Sequence, residues 1–185
     1  VLAEKPIEVR IGNKTETYYA GFYLRNSQVG FTALTIDIYF LRLICVNGLM
    51  VAAEQFRLLY RTHRPIADDV LWKILNKSLV GMEDRWSQGL NLLGNASGVT
   101  IGDTDSVLGD LLRQVPGMRH LKKAISEEMA QAGDGSAFGL IQAMTHVAQG
   151  LSVPDQRFEL ERLAGRLLTQ GELGRTPVVT TVATA

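Results

Sequence analysis

The chain has 185 residues, 46% apolar and 21% charged, which excludes a disordered or fibrous polypeptide and suits one globular domain. Nineteen Lys and Arg balance nineteen Asp and Glu, so bulk charge gives no argument for nucleic-acid binding; up to Ile66 the count is eight basic against five acidic, and from Ala67 onward eleven against fourteen. No stretch approaches the roughly 20 apolar residues that span a bilayer, no secretory leader is visible, and the single cysteine, Cys45, excludes an internal disulfide, so the expectation is a cytoplasmic protein.

The first forty residues alternate with period two. Ile7, Val9 and Ile11 point one way, Glu8 and Arg10 the other, and Gly12-Asn13 follows as a two-residue hairpin turn. Tyr18 to Arg25 reads as the next strand and Asn26-Ser27 as another turn. From Phe31 to Arg42 a dry face of Leu34, Ile36, Ile38 and Phe40 opposes a wet face of Thr35, Asp37 and Tyr39, the pattern of an antiparallel sheet covered on one side.

The period then changes. Leu49, Ala52, Phe56, Leu59 and His63 recur at three and four residues and predict a helix ending at Pro65. A long helix follows from Asp68 or Asp69, with a near-heptad seam of Leu71, Leu75, Leu79, Met82, Trp86, Leu90 and Leu93 and Gly94 as its cap. Shorter amphipathic pieces carry Leu108, Leu111, Leu112 and Val115 before Pro116-Gly117, then Leu121, Ile125 and Met129 before Gly133-Asp134-Gly135. Phe138, Ile141, Met144 and Val147 form another stripe, and Ser152 with Asp155 opens a last helix through about Leu168, closed by Gly171. The Thr/Val/Ala tail from Thr176 reads as flexible. The expectation is a single α+β domain over 1–175: a sheet of about three antiparallel strands within 1–45, helices over 46–171, and a tail at 176–185.

Three segments carry a family resemblance: Tyr19 to Gly30 with its Asn26-Ser27-Gln28-Val29-Gly30 turn, Arg42-Leu-Ile-Cys45-Val-Asn47-Gly48, and Ala137 to Thr145. Their order and content resemble the phage- and plasmid-like proteins catalogued as domain of unknown function 932, in which an NSE-V-G turn precedes an R-x-x-C-x-N-G segment and, later, an A-W-x-L-x-N-A-x-T segment. Gln28 stands where the family has Glu, and Gln142 where it often has Asn. The resemblance implies a mobile-element context and no particular activity. Asn26, Ser27, Gly30, Arg42, Cys45, Asn47, Gly48 and Thr145 are the motif positions, and their residue types suit turns and caps before chemistry.

Catalytic signatures are weak. Cys45 lies between Ile44 and Val46, where a thiol packs as a small hydrophobe, and His63, His120 and His146 have no local motif linking them to it. Asp103, Asp105 and Asp110 suit the first turn of a helix better than a divalent cation. No phosphate-cradling glycine loop and no zinc or calcium motif occurs, so neither cofactor nor metal is expected. Two features fit a polyanion. Arg57, Arg61 and Arg64 fall on one face of the predicted helix, and Arg10, Tyr19, Tyr23, Arg25 and Tyr39 share the wet face of the sheet, where aromatic and basic groups can hold single-stranded bases. Three classes of function stay open: a non-enzymatic protein acting on single-stranded DNA in mobile-element recombination or replication, a self-assembling or partner-binding protein, and an enzyme of unrecognised type. The seam and the tail supply the expected routes to a homo-oligomer, and no membrane partner is expected.

Overall fold

The computed structural model describes residues 6–25, 34–42, 48–51, 57–61, 69, 72–73, 76–77 and 80–169. Strands β1 (Ile7–Ile11) and β2 (Lys14–Arg25) form a hairpin whose register closes with Ile11 opposite Lys14. Gly12 then takes φ 58°, the left-handed conformation a two-residue hairpin loop demands. Strand β3 (Leu34–Arg42) pairs antiparallel with β2, from Tyr18 opposite Arg42 to Arg25 opposite Thr35.

The sheet is larger than the three strands expected from sequence. Strand β4 (Gly48–Val51) pairs with β3 from Leu41 to Ile38, and β5 (Arg57–Arg61) continues along β3 from Asp37 to Leu34. Because β2 occupies the whole of one edge of β3, β4 and β5 lie end to end along the other. The register makes a bulge between Ile36 and Asp37, with Leu59 opposite the first and Arg57 opposite the second. Where the helix predicted from Leu49 through His63 falls on described residues it is strand, 49–51 in β4 and 57–61 in β5. Three- and four-residue spacing of apolar groups suits a helix locally, but pairing with β3 satisfies the backbone here and overrides that local preference.

The chain then becomes helical: α1 (Met82–Ala96), α2 (Thr104–Arg113), a short 3-10 turn (Arg119–Leu121), α3 (Lys122–Ala132), α4 (Ala137–Gln149) and α5 (Pro154–Thr169). The fold is α+β, a mainly helical half following an antiparallel sheet. The long helix expected from Asp69 to Leu93 is not continuous. Gly81 has φ 73° and stands at the N-cap of α1, because an i→i−4 ladder cannot pass a left-handed residue. Nor does Gly94 end α1, which runs on to Ala96. A Cβ at position 94 would lie 3.3 Å from the Arg10 carbonyl oxygen, so this glycine permits close packing of α1 on β1.

Helix ends follow their chemistry. The Asp103 side chain accepts from the Ser106 N–H at 3.0 Å and caps α2. Gly133, at φ 65°, closes α3 and donates its N–H to the Met129 and Ala130 carbonyls. Ser136 Oγ accepts from the Gly139 N–H and caps α4. The first i→i−4 bond of α5 runs from the Arg157 N–H to the Val153 carbonyl, which puts Pro154 at the first helical position, one residue later than the Ser152–Asp155 pattern predicts.

One continuous core joins the two halves. Tyr18, Ala20, Ile36, Ile38 and Phe40 from the sheet meet Trp86, Leu90 and Leu93 of α1, Leu108 and Leu112 of α2, Ile125 of α3, Leu140 and Met144 of α4, and Leu160 and Leu163 of α5. Each fully buried Leu, Ile or Phe side chain contributes about 1.5–3 kcal/mol relative to exposure. Helix α1 packs on β1 and α5 on β4, so the helical layer covers one face of the sheet. The seam residues Trp86, Leu90 and Leu93 are spent inside this core rather than on a partner chain. The tail at 176–185 and the turn at 26–30 lie outside the described residues, as do Cys45, Asn47, His63 and Arg64.

Candidate nucleic-acid interface

The pleat sends alternate residues to opposite faces, and the register shows which ones share the face turned away from the helices. On β2 and β3 the rows are Tyr19 opposite Leu41, Gly21 opposite Tyr39, Tyr23 opposite Asp37 and Arg25 opposite Thr35. On the far side of β3, Met50 stands opposite Tyr39, Arg57 opposite Asp37 and Tyr60 opposite Thr35. Arg10 pairs with Thr15 and Glu8 with Thr17 on β1 and β2. Four tyrosine positions and three arginine positions thus share one face with Glu8 and Asp37.

The burial pattern separates the faces. Ile36, Ile38 and Phe40 are sealed in the core, whereas Tyr19, Tyr39, Thr35 and Leu41 are half-buried and Arg10, Glu8 and Thr15 exposed. Tyr19, Tyr39 and Leu41 belong neither to the core nor to the apolar groups packed against it. Tyr39 has a glycine as its register neighbour on β2, with Tyr19 and Tyr23 on the two diagonals. Diagonal cross-strand neighbours lie about 7–8 Å apart, so the backbone assembles an aromatic group around a position that has no side chain. Tyr19 and Tyr23, four residues apart, are separated by about 13 Å along the strand.

Asp37 corrects the expected wet face. It is 3% exposed, at the centre of the face, with Tyr23 and Arg57 at the register positions on either side. A carboxylate so enclosed persists only when paired or hydrogen-bonded, and Asp37 is engaged. The expected arginine stripe is also corrected. With β5 a strand and a bulge between its first residues, Arg57 stands opposite Asp37 and Arg61 opposite Leu34, so the two take opposite faces. Arg57 instead joins Arg10 and Arg25, a grouping that sequence reasoning missed because it depends on long-range register.

The remaining motif positions are structural or lie outside the described residues. Arg42 ends β3 opposite Tyr18, and Gly48 opens β4 opposite Leu41. Thr145 is buried in α4, and its hydroxyl lies 3.0 Å from each of the Ile141 and Gln142 carbonyl oxygens, as in an ordinary back-bonded helix threonine.

No alternative chemistry assembles among the described residues. The acidic trio is used locally: Asp103 caps α2, Asp105 meets Lys122 at 3.2 Å, and Asp110 pairs with Arg113. No group of three or more His, Cys, Asp or Glu that could hold a metal occurs among them. His146 Nδ1 lies 2.7 Å from Glu128 and ties α4 to α3 at the surface, and His120 is exposed in the 3-10 turn. One carboxyl departs upward from its ordinary range: burial raises Glu161 on α5, and Arg157 at 3.0 Å offsets part of the rise. It pairs within its own helix and faces no histidine or cysteine in that pair.

A cleft of about 520 Å³ lies between the β1–β2 turn and the start of α4, with Lys14, Glu16 and Asp134 on its walls. Asp134 Oδ1 accepts from the Ser136 N–H at 2.9 Å and so shapes the entry to α4. Lys14 and Glu16 are of opposite charge, and the cleft favours no ligand class.

No described helix is long and apolar enough to cross a membrane. Comparison with known proteins found no match: no family model, no curated protein and no solved structure aligns with this chain.

Proposed function

We propose that this chain is a non-enzymatic binder of single-stranded nucleic acid, acting through the sheet face opposite its helical layer. The observation that carries the reading is the register, which gathers Tyr19, Tyr23, Tyr39 and Tyr60 with Arg10, Arg25 and Arg57 on that face. Exposed bases stack on aromatic rings whatever their sequence, and guanidinium groups hold the phosphates between them. The half-buried state of Tyr19 and Tyr39 suits this role, since each is anchored by its strand without being sealed in the core. Glu8 and Asp37 temper the charge, so binding is moderate and strongly salt-dependent. The resemblance to the phage- and plasmid-like family supports placing this activity in mobile-element recombination or replication.

The test is fluorescence anisotropy of labelled single- and double-stranded oligonucleotides at two salt concentrations. Wild type binds the single strand preferentially. Replacing Arg10, Arg25 and Arg57 together by Ala lowers the slope of log K against log salt by about 2, at 0.7 per phosphate contact. Tyr39→Ala weakens binding by about 5- to 150-fold, the 1–3 kcal/mol of one stacked base. Absence of binding at low salt, with the protein folded, refutes the proposal.

A further inference from the structure

Before α1 the chain carries a second exposed surface. Asp69, Trp72, Lys73, Asn76 and Lys77 are helical, and all five are exposed. At 100° per residue they fall within an arc of about 140°, one face of a helix. Trp72 has 65% of its surface open, an unusual state for the largest apolar side chain. The other tryptophan shows the structural use of the residue in this fold: Trp86 is 9% exposed and its indole N–H donates to the Gly21 carbonyl at 3.0 Å. Trp72 does nothing comparable for the core.

Its neighbours define the partner. Lys73 and Lys77 sit one turn apart beside the indole. Lys73 meets Asp69 at 3.6 Å in a pair whose side chains are 79% and 68% exposed, a contact that water and salt weaken and that a phosphate can replace. Lys77 has no ion-pair partner among the described residues. Two ammonium groups against one carboxylate favour an anion. Among the described residues of this face, Asp69, Lys73, Asn76 and Lys77 outnumber the one apolar group, Trp72.

We infer that the Trp72–Lys73–Lys77 face is a second contact for single-stranded nucleic acid, with the indole stacked on a base and the two lysines on the flanking phosphates. The inference rests on the nucleic-acid reading proposed above and extends it to a surface outside the sheet. A strand held by both surfaces is gripped at two separate points, which raises affinity without any new contact on the sheet itself.

The chain has two tryptophans, and the indole of buried Trp86 donates to the Gly21 carbonyl, so the part of an emission change that Trp72→Phe abolishes reports Trp72. The experiment titrates a thymidine dodecamer into wild type, Trp72→Phe and Trp72→Ala, and follows labelled-oligonucleotide anisotropy in parallel. The expected result is quenching in wild type that tracks the anisotropy curve, is absent in Trp72→Phe, and comes with a 5- to 150-fold loss of affinity in Trp72→Ala. Lys73→Ala with Lys77→Ala lowers the salt slope by about 1.4. Binding by anisotropy with unchanged emission and full affinity in Trp72→Ala overturns this inference and leaves the sheet reading standing. No anisotropy change at low salt overturns both. A blue shift of Trp72 emission on equimolar phosphatidylcholine–phosphatidylglycerol vesicles, with no response to the oligonucleotide, overturns it in favour of a lipid surface.

Discussion

Gly139, in the first turn of α4, gives the sharpest test of how the cleft end of the molecule is built. A Cβ placed there would stand 2.1 Å from the Asp134 carbonyl oxygen and 2.8 Å from its Cγ, against 3.4–4 Å for ordinary contact. Gly139→Ala therefore requires the loop and the helix to separate by more than 1 Å. Three bonds resist that movement: Ala137 N–H to the Val99 carbonyl at 2.7 Å, Ser136 N–H to Asp134 Oδ1 at 2.9 Å, and Gly139 N–H to Ser136 Oγ at 3.1 Å. Overpacking costs about 1–3 kcal/mol and the loss of one or two of these hydrogen bonds about 0.5–1.5 each, against about 1 kcal/mol gained from helix propensity. The net loss centres near 2–3 kcal/mol, a fall in Tm of about 5–10 °C for a chain of this size. Gly109→Ala in α2 is the matched control, because nothing lies within 4 Å of its Cβ position. It is expected to stabilise by about 0.5–1 kcal/mol. Thermal melts and urea titrations of both variants decide the matter. A Gly139→Ala protein that melts at or above wild type refutes the close approach of Asp134, because propensity alone would then govern the site.

Two further predictions concern ionisable groups. Burial raises Glu161 above the ordinary 4.5, so the folded state holds that proton more tightly than the unfolded chain. Its contribution to stability is therefore fully present below the unfolded value and declines as pH rises through the raised one; Glu161→Gln, which cannot ionise, escapes the decline. Urea unfolding at pH 4 and pH 7 is expected to show the difference between variant and wild type moving in the variant's favour at pH 7, and a constant difference counts against the burial argument. Asp103→Ala removes the cap of α2 and is expected to cost about 1 kcal/mol in the same assay. Calcium leaves the Tm of the wild type unchanged; a calcium-dependent rise that the variant lost would restore the metal reading.

Alternation and capping made much of this fold legible. Ile7, Val9 and Ile11 with the Gly12-Asn13 turn, and Ile36, Ile38 and Phe40 after it, announce β1 and β3 because one face of an antiparallel sheet is dry. The stripes of α2 through α5 are equally plain, with Asp103 and Gly133 marking ends in the sequence, whereas the Ser136 cap and the start of α5 at Pro154 emerge only in the structure. What failed locally was decided at a distance. The spacing of Leu49, Ala52, Phe56 and Leu59 fits a helix, and only β3, reached by pairing, makes strands of β4 and β5. Gly94 looked like a cap because nothing near it in sequence reveals the Arg10 carbonyl lying against it. The site divides in the same way. Tyr19, Tyr39 and Arg10 could be assigned to one face by parity, but the bulge in β5 reverses parity between Arg57 and Arg61, and no local pattern marks it. The exposure of Trp72 was likewise invisible, since its neighbours in sequence read as an ordinary amphipathic helix.

The two-part pairing along β3 also bears on how this protein behaves when crowded. A continuous outer strand offers a long row of amides and carbonyls to any extended peptide, and such rows seed polymerisation. Here the row is cut into one piece of four residues and another of five, with α5 packed against the first piece. Short edge pieces, and a helix laid against one of them, are among the devices by which sheets discourage an added strand. The interruption thus weakens this edge as a template for the edge-to-edge stacking that would otherwise follow at high concentration.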